Sequence, residues 1–330
     1  EVMPDTPKLP DIGEFYSETM KTVGAFDSSV GKTIAINRKK RSLRIDIDEE
    51  RDKGHLDRDE TFIAMRIIAQ NIKREIVPYV NYLIQSPRAC VFTDVENPLS
   101  PTDRLESEYT TVTRYPGYFD AFYATLDGGI AHGSSTIEIV YDEEKPGYVR
   151  FSAVPAEDFI YPLNLRELGA SPRLIRRYHF SRVELEEYSL KEGFDKTVAD
   201  EVLRQCTNTD DKEFLVYKVF TKIEGVIYVA WLLDSNSSKY FRPLIPFVAG
   251  VFEQIEIKTP GIGVDALGQP TIVETTKLEW VPVKETEYPF KQWVYARTED
   301  QLVINSMGRC ESDTGLQEAQ CSLWSTYVNS

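Results

Sequence analysis

Few residues in this 330-residue chain carry obvious chemistry. Phe26-Asp27-Ser28-Ser29-Val30-Gly31-Lys32-Thr33 ends in the Gly-Lys-Thr of a phosphate-binding loop, where backbone N–H groups wrap the phosphates and the lysine reaches them. Phe26 stands where the first glycine belongs, and the preceding Thr19 to Ala25 is too polar and small for the strand such a loop follows. Gly261, Gly263 and Gly268 lack dinucleotide-loop spacing and are bracketed by Pro260 and Pro270, so a plain loop is expected there. His132-Gly133-Ser134-Ser135 sets hydroxyls beside an imidazole without the GxSxG elbow that exposes a nucleophile, and it reads as a helix-to-strand turn.

His55, His132 and His179 have no zinc spacing with one another or with Cys90, Cys206, Cys310 and Cys321. Asp46, Asp48 and Glu50 begin like a calcium loop, but Arg51 replaces its glycine. Carboxylates are too numerous for any pair to be singled out as acid and base. The residues therefore predict no catalytic constellation, no metal site and no cofactor.

The elements that would position these residues follow from periodicity. A short helix is predicted over Glu14–Val23, followed by a solvated charged stretch over Arg38–Glu60. From Asp59, Phe62, Met65, Ile68, Ile72, Ile76, Val80 and Leu83 recur at helical steps, with a kink expected at Pro78. Tyr118–Ile130 predicts another helix, weakened at Gly128-Gly129. Thr136–Tyr141 and Tyr148–Val154 predict a hairpin, and Arg173–Phe180 an extended segment. Ser181 and Glu184 form a capping box, so a helix is expected to start there and run toward Glu192, with a second over Lys196–Cys206. Glu213–Lys222 and Val226–Asp234 predict a hairpin. Pro246–Lys258 and Thr271–Val283 are strand-like, and Ser312–Asn329 has helical spacing.

At 37.8 kDa the chain predicts two or three packed units. Its 53 acidic against 38 basic residues give a net charge of -15, which argues against gripping nucleic acid by neutralising phosphates. A sliding conduit with repulsive walls remains compatible with that charge. No run of 18 apolar residues and no apolar N-terminal stretch exist, so neither membrane span nor signal peptide is expected. The four scattered cysteines are expected to be reduced and mostly buried.

The order of segments resembles the portal proteins of tailed phages, especially the short-tailed kind, over most of the chain. The resemblance rests on a helix with a small-residue turn, Gly128-Gly129-Ile130-Ala131-His132-Gly133, running into the strand Thr136–Tyr141. Val154-Pro155-Ala156-Glu157-Asp158-Phe159 follows, then the arginine-rich Arg173-Leu174-Ile175-Arg176-Arg177-Tyr178 and the capped Ser181-Arg182-Val183-Glu184-Leu185. After a β-rich region come Tyr288-Pro289-Phe290, Met307-Gly308-Arg309, and a helix carrying Gln317, Gln320 and Ser325.

The resemblance implies an α+β portal-like fold: a wing over residues 1–180, a first stem helix over 181–206, a β-rich clip over 207–288, and a second stem helix with the start of the wing helix over 289–330. The family's long C-terminal wing helix and crown are absent from this chain. Gly308, Arg309, Gln317 and Gln320 are the family-like stem helix positions, and Lys191, Lys196 and Arg204 are candidates to face DNA. The implied protein is a dodecameric ring at one capsid vertex of the virion, assembled in the host cytoplasm and not an enzyme. Its implied partners are weakly bound double-stranded DNA, the large terminase, the head-to-tail connector or tail proteins, and the major capsid protein, with no membrane. A head-to-tail adaptor or tail ring stays open as an alternative, as does a small soluble enzyme using the degenerate loop at Gly31-Lys32-Thr33.

Overall fold

A computed structural model describes residues 10–42, 67–85, 107, 111, 113–114, 117–141, 149–205, 213–234, 239–248, 252–264, 270–282 and 286–329. His55, the Asp46–Glu50 run, Cys90, Cys206 and the first turns of the helix expected from Asp59 lie outside these residues. The architecture is mixed helix and antiparallel sheet.

Helix α1 (Ile12–Phe26) begins at Asp11, whose carboxylate accepts from the Gly13 N–H at 3.0 Å. It buries Phe15, Thr19, Val23 and Phe26 on one stripe. A π-helical turn, Asp27–Gly31, carries it directly into α2 (Lys32–Ser42). Helix α3 (Ile67–Gln85) contains Pro78 and buries Ile68, Ile72 and Ile76 at four-residue steps. Helix α4 (Tyr118–His132) ends at Gly133 and feeds the hairpin of β1 (Ser134–Tyr141) and β2 (Val149–Val154).

The chain then turns through Val154-Pro155 into the short β3 (Phe159–Ile160) and on to β4 (Arg173–Phe180). Two helices follow, α5 (Arg182–Ser189) and α6 (Lys196–Gln205). The Ser181 capping box is complete: its Oγ accepts from the Glu184 N–H at 3.3 Å, and the Glu184 carboxylate accepts from the Ser181 N–H at 2.7 Å. Ser181→Ala is expected to lower stability by about 1 kcal/mol, read as a shift in urea midpoint at unchanged slope.

Strands β5 (Phe214–Ile223) and β6 (Val226–Leu233) form the expected hairpin, turning through Glu224 and Gly225, both at positive φ. With β7 (Arg242–Pro246) they complete a five-stranded sheet in the order β3-β4-β5-β6-β7. Strand β6 is buried along nearly its whole length because both faces are covered. Phe15, Val23 and Phe26 of α1 share one core with Phe220, Ile227 and Ala230, while Leu185, Val198 and Val202 of α5 and α6 pack with Trp231 and Leu233.

Strands β8 (Phe252–Val264) and β9 (Pro270–Pro282) pair with each other over thirteen positions as a ribbon. Strand β10 (Phe290–Val294) returns across the chain to pair with β1, Ser134 opposite Val294, making the sheet β10-β1-β2. A short helix α7 (Arg309–Ser312) and α8 (Thr314–Asn329) finish the described chain.

Three differences from the implied portal map follow. In place of one stem helix over 181–206 there are two, because α5 ends at Leu190 and the chain turns through Gly193 before Asp195 caps α6. A wing ending at 180 and a clip beginning at 207 divide a single sheet, since β4 and β5 pair at eight successive positions. The span 289–330 opens as the strand β10 before its helices begin. Beyond the map, the run Pro260-Gly261-Ile262-Gly263, expected to separate strands, lies inside β8.

Candidate functional site

Two segments that carry the portal resemblance, 175 residues apart in sequence, touch each other. Gly133 closes α4 at φ 92°, its N–H bonded to the Gly129 carbonyl at 2.8 Å. A Cβ on it would lie 2.3 Å from the Ser306 carbonyl oxygen. Gly308, the N-cap of α7, presses equally close: a Cβ there would lie 2.3 Å from the Ala131 carbonyl oxygen. Backbone-to-backbone contact at this joint is therefore possible only without side chains at 133 and 308.

Polar side chains lock the joint from α3. Arg309 Nε donates to Glu75 Oε1 at 2.7 Å, and the Tyr295 hydroxyl donates to Glu75 Oε2 at 2.7 Å. The bonds to Glu75 raise the Arg309 guanidinium above its already high range, so it stays charged at every accessible pH. Asn71 Nδ2 donates to Asp313 Oδ2 at 2.9 Å, and buried Gln317 accepts from the Ile68 N–H at 3.2 Å. Gly308, Arg309 and Gln317 thus fasten α7 and α8 to α3 and α4, while Gln320 sits half-exposed one turn further on. Neither contact across the joint is legible in sequence spacing.

The arginines of β4 act likewise as fastenings. Arg173 lies over the Phe15 ring at 4.8 Å and bonds Glu18 at 2.8 Å, tying α1 to the sheet, and Arg177 grips Asp27 at 2.6 Å, tying down the π-helical turn that follows. Arg176 pairs with Glu138 of β1, which also takes Lys218 Nζ of β5 at 3.3 Å. His179 bridges Asp158 and Glu213 at 3.1 Å each.

Lys191, Lys196 and Arg204 do not share one helix. Lys191 sits in the turn with Nζ 4.0 Å over the Tyr188 ring, Lys196 is the first residue of α6, and Arg204 is in its last turn. All three are exposed, but residues 182–204 also carry seven carboxylates against four cations, so this surface is not a basic patch.

The degenerate phosphate loop is helical throughout. Residues 26–33 run from the end of α1 through the π-helical turn into α2. Ser28 and Thr33 hydroxyls donate back to the Ala25 and Ser29 carbonyls. A phosphate loop needs backbone N–H groups converging after a strand, and these are committed along a helix axis.

At the end of α4, burial with Arg41 nearby lowers the pKa of His132 to about 4. Arg41 itself is held by Asp127 through two bonds of 2.6 Å. The unfolded chain titrates near 6.5, so it binds more protons than the fold between these values, and stability is lost as pH falls from about 6.5 to 4. The loss amounts to about 3 kcal/mol at the acid end. In urea titrations across that window, the difference between wild type and His132→Gln is expected to shrink by that amount; parallel curves would remove His132 as the cause.

Among the described residues no group of histidines, cysteines and carboxylates is arranged to hold a metal, and no helix is long and apolar enough to cross a membrane. Compared with protein-family models and with curated proteins, the chain matches none.

Proposed function

We propose that this chain is a portal-type subunit: one copy in a ring at a capsid vertex that passes double-stranded DNA and docks a packaging terminase and a head-to-tail connector. The observation that carries the reading is the succession of α4, the β1–β2 hairpin, the Val154-Pro155 corner, the arginine-rich β4 and the capped α5, closed by Gly308-Arg309 against the glycine turn of α4. The backbone contact of Gly133 and Gly308 and the ion pairs of Arg176 and Arg309 give these residues a joint structural role, which supports reading them as one set. Charge supports a conduit over a clamp, since twelve copies at -15 each carry about -180.

Two measurements test this. Native mass spectrometry and electron microscopy of the purified protein are expected to show closed rings of about twelve copies. Affinity for linear duplex DNA is expected to be weak at physiological salt with a shallow salt slope, since each neutralised phosphate adds about 0.9 to that slope. A protein that stays monomeric at all concentrations, or one that binds duplex at nanomolar affinity with a steep slope, contradicts the reading.

A further inference from the structure

A cavity of about 160 Å³ lies between α2, the α4–β1 turn, the corner from Ala156 to Tyr161 and the loop through Asn305 and Ser306. One water needs only ~10–15 Å³, so this space suits a small molecule. Its wall includes His132, Asn37, Ser134, Thr136, Tyr161 and Glu311. Asn37 and Thr136 are each 2% exposed, while Ser29 and Thr33 at the rim are open to solvent. Asn37 Nδ2 donates to Glu311 Oε1 at 3.2 Å, which orients both groups. Tyr161, also buried, is hydrogen-bonded to Ser134.

The buried Nδ1 of His132 has no hydrogen-bond partner among the described residues. Buried polar atoms are nearly always paired, with protein or with water, so this nitrogen offers a hydrogen-bonding position to whatever occupies the cavity. The charge on the wall decides what kind. At His132 the fields of Arg41 and Arg38 are opposed by those of their ion-pair partners Asp127 and Glu157, and Glu311 is already engaged by Asn37, so neither sign of charge is favoured beside the free imidazole nitrogen. Hydroxyl groups, which both donate and accept, match the seryl, threonyl and amide lining.

We propose that this cavity binds a small uncharged polyol or monosaccharide, with His132 Nδ1 as one of its hydrogen-bond partners. The site uses residues of the abandoned phosphate loop, Ser29 and Thr33, as its entrance rather than as phosphate ligands. It is independent of ring assembly.

The probes are glycerol, D-ribose and myo-inositol, each titrated to high millimolar concentration into the ¹⁵N-labelled chain. Long-range proton–nitrogen spectra report the imidazole nitrogens, with His132 assigned from its loss in His132→Gln. At least one probe is expected to move the His132 nitrogens saturably. Thr136→Val, which keeps the side-chain volume, and Ser134→Ala are each expected to weaken that titration about fivefold, the worth of one hydrogen bond. If Thr136→Val fails to fold, Ser134→Ala at the half-exposed edge carries the comparison. His132 nitrogens that no probe moves, or a shift that the folded variants leave unaltered, would overturn the proposal.

Discussion

Gly133→Ala is expected to lower unfolding stability by about 3–5 kcal/mol, among the largest effects a single methyl group can have in this chain. The φ of 92° is strained for any residue with a Cβ, and the added carbon meets the Ser306 carbonyl 2.3 Å away. Neither partner is the tip of a flexible side chain, so the α4–β1 turn and the strand leading into α7 must separate. Gly225→Ala isolates the first contribution: its φ is 84°, but nothing lies within 4 Å of the added carbon. A loss of only about 1–2 kcal/mol is expected there. Equal losses at 133 and 225 in urea denaturation would show that backbone strain, and not the joint, sets the effect. Gly308→Ala acts on the same contact, so the double variant is expected to lose less than the two singles added together.

The second large effect is expected at Glu138, which is 1% exposed and stands between two sheets. Arg176 of β4 and Lys218 of β5 are directly opposite each other in register, and like charges so placed repel. Glu138 of β1 reaches across and neutralises both. Glu138→Gln leaves two largely covered cations facing one another and is expected to reduce stability by about 3 kcal/mol. Adding Lys218→Met removes one cation and is expected to restore most of the loss, because Lys218 already lies near the Phe220 and Trp231 rings. A double variant no more stable than Glu138→Gln alone would assign the loss to packing around 138 and not to charge.

Legibility in the sequence followed the range of the interactions. The Ser181 capping box, the turn at Glu224-Gly225 and the apolar alternation of β1 are local, and each element appears within a few residues of its expected span. The helix expected over Glu14–Val23 extends to Phe26 because Asp27 continues the backbone in helical geometry, so a phosphate-loop pattern became a helix interior. Arg41, assigned to a solvated charge run, is tied to Asp127, a pairing 86 residues distant that no local pattern encodes. Two helices parted at Gly193 stand where the sequence predicts two, but charged helices of narrow apolar face read the same whether they line a channel or fold back on a sheet. Cys310 and Cys321 are buried as expected. The joint between Gly133 and Gly308 was present in the sequence only as two glycines without apparent connection.

The return of β10 to β1 has a consequence for how the chain is made. On the ribosome, β1 and β2 can pair as soon as they emerge, but the other edge of β1 waits for β10, about 150–160 residues later. At ordinary translation speeds that interval is roughly 8–30 s. During it, β1 presents an unpaired edge of backbone donors and acceptors, the form most prone to pairing with another nascent chain. Five of its eight residues, Ser134–Glu138, are the ones that β10 later covers, and these include the acid on which both sheets depend. Until β10 arrives, Glu138 can still be reached by the five-stranded sheet, whose strands are finished by Pro246, so the charge contact can guard the edge before the last strand closes it.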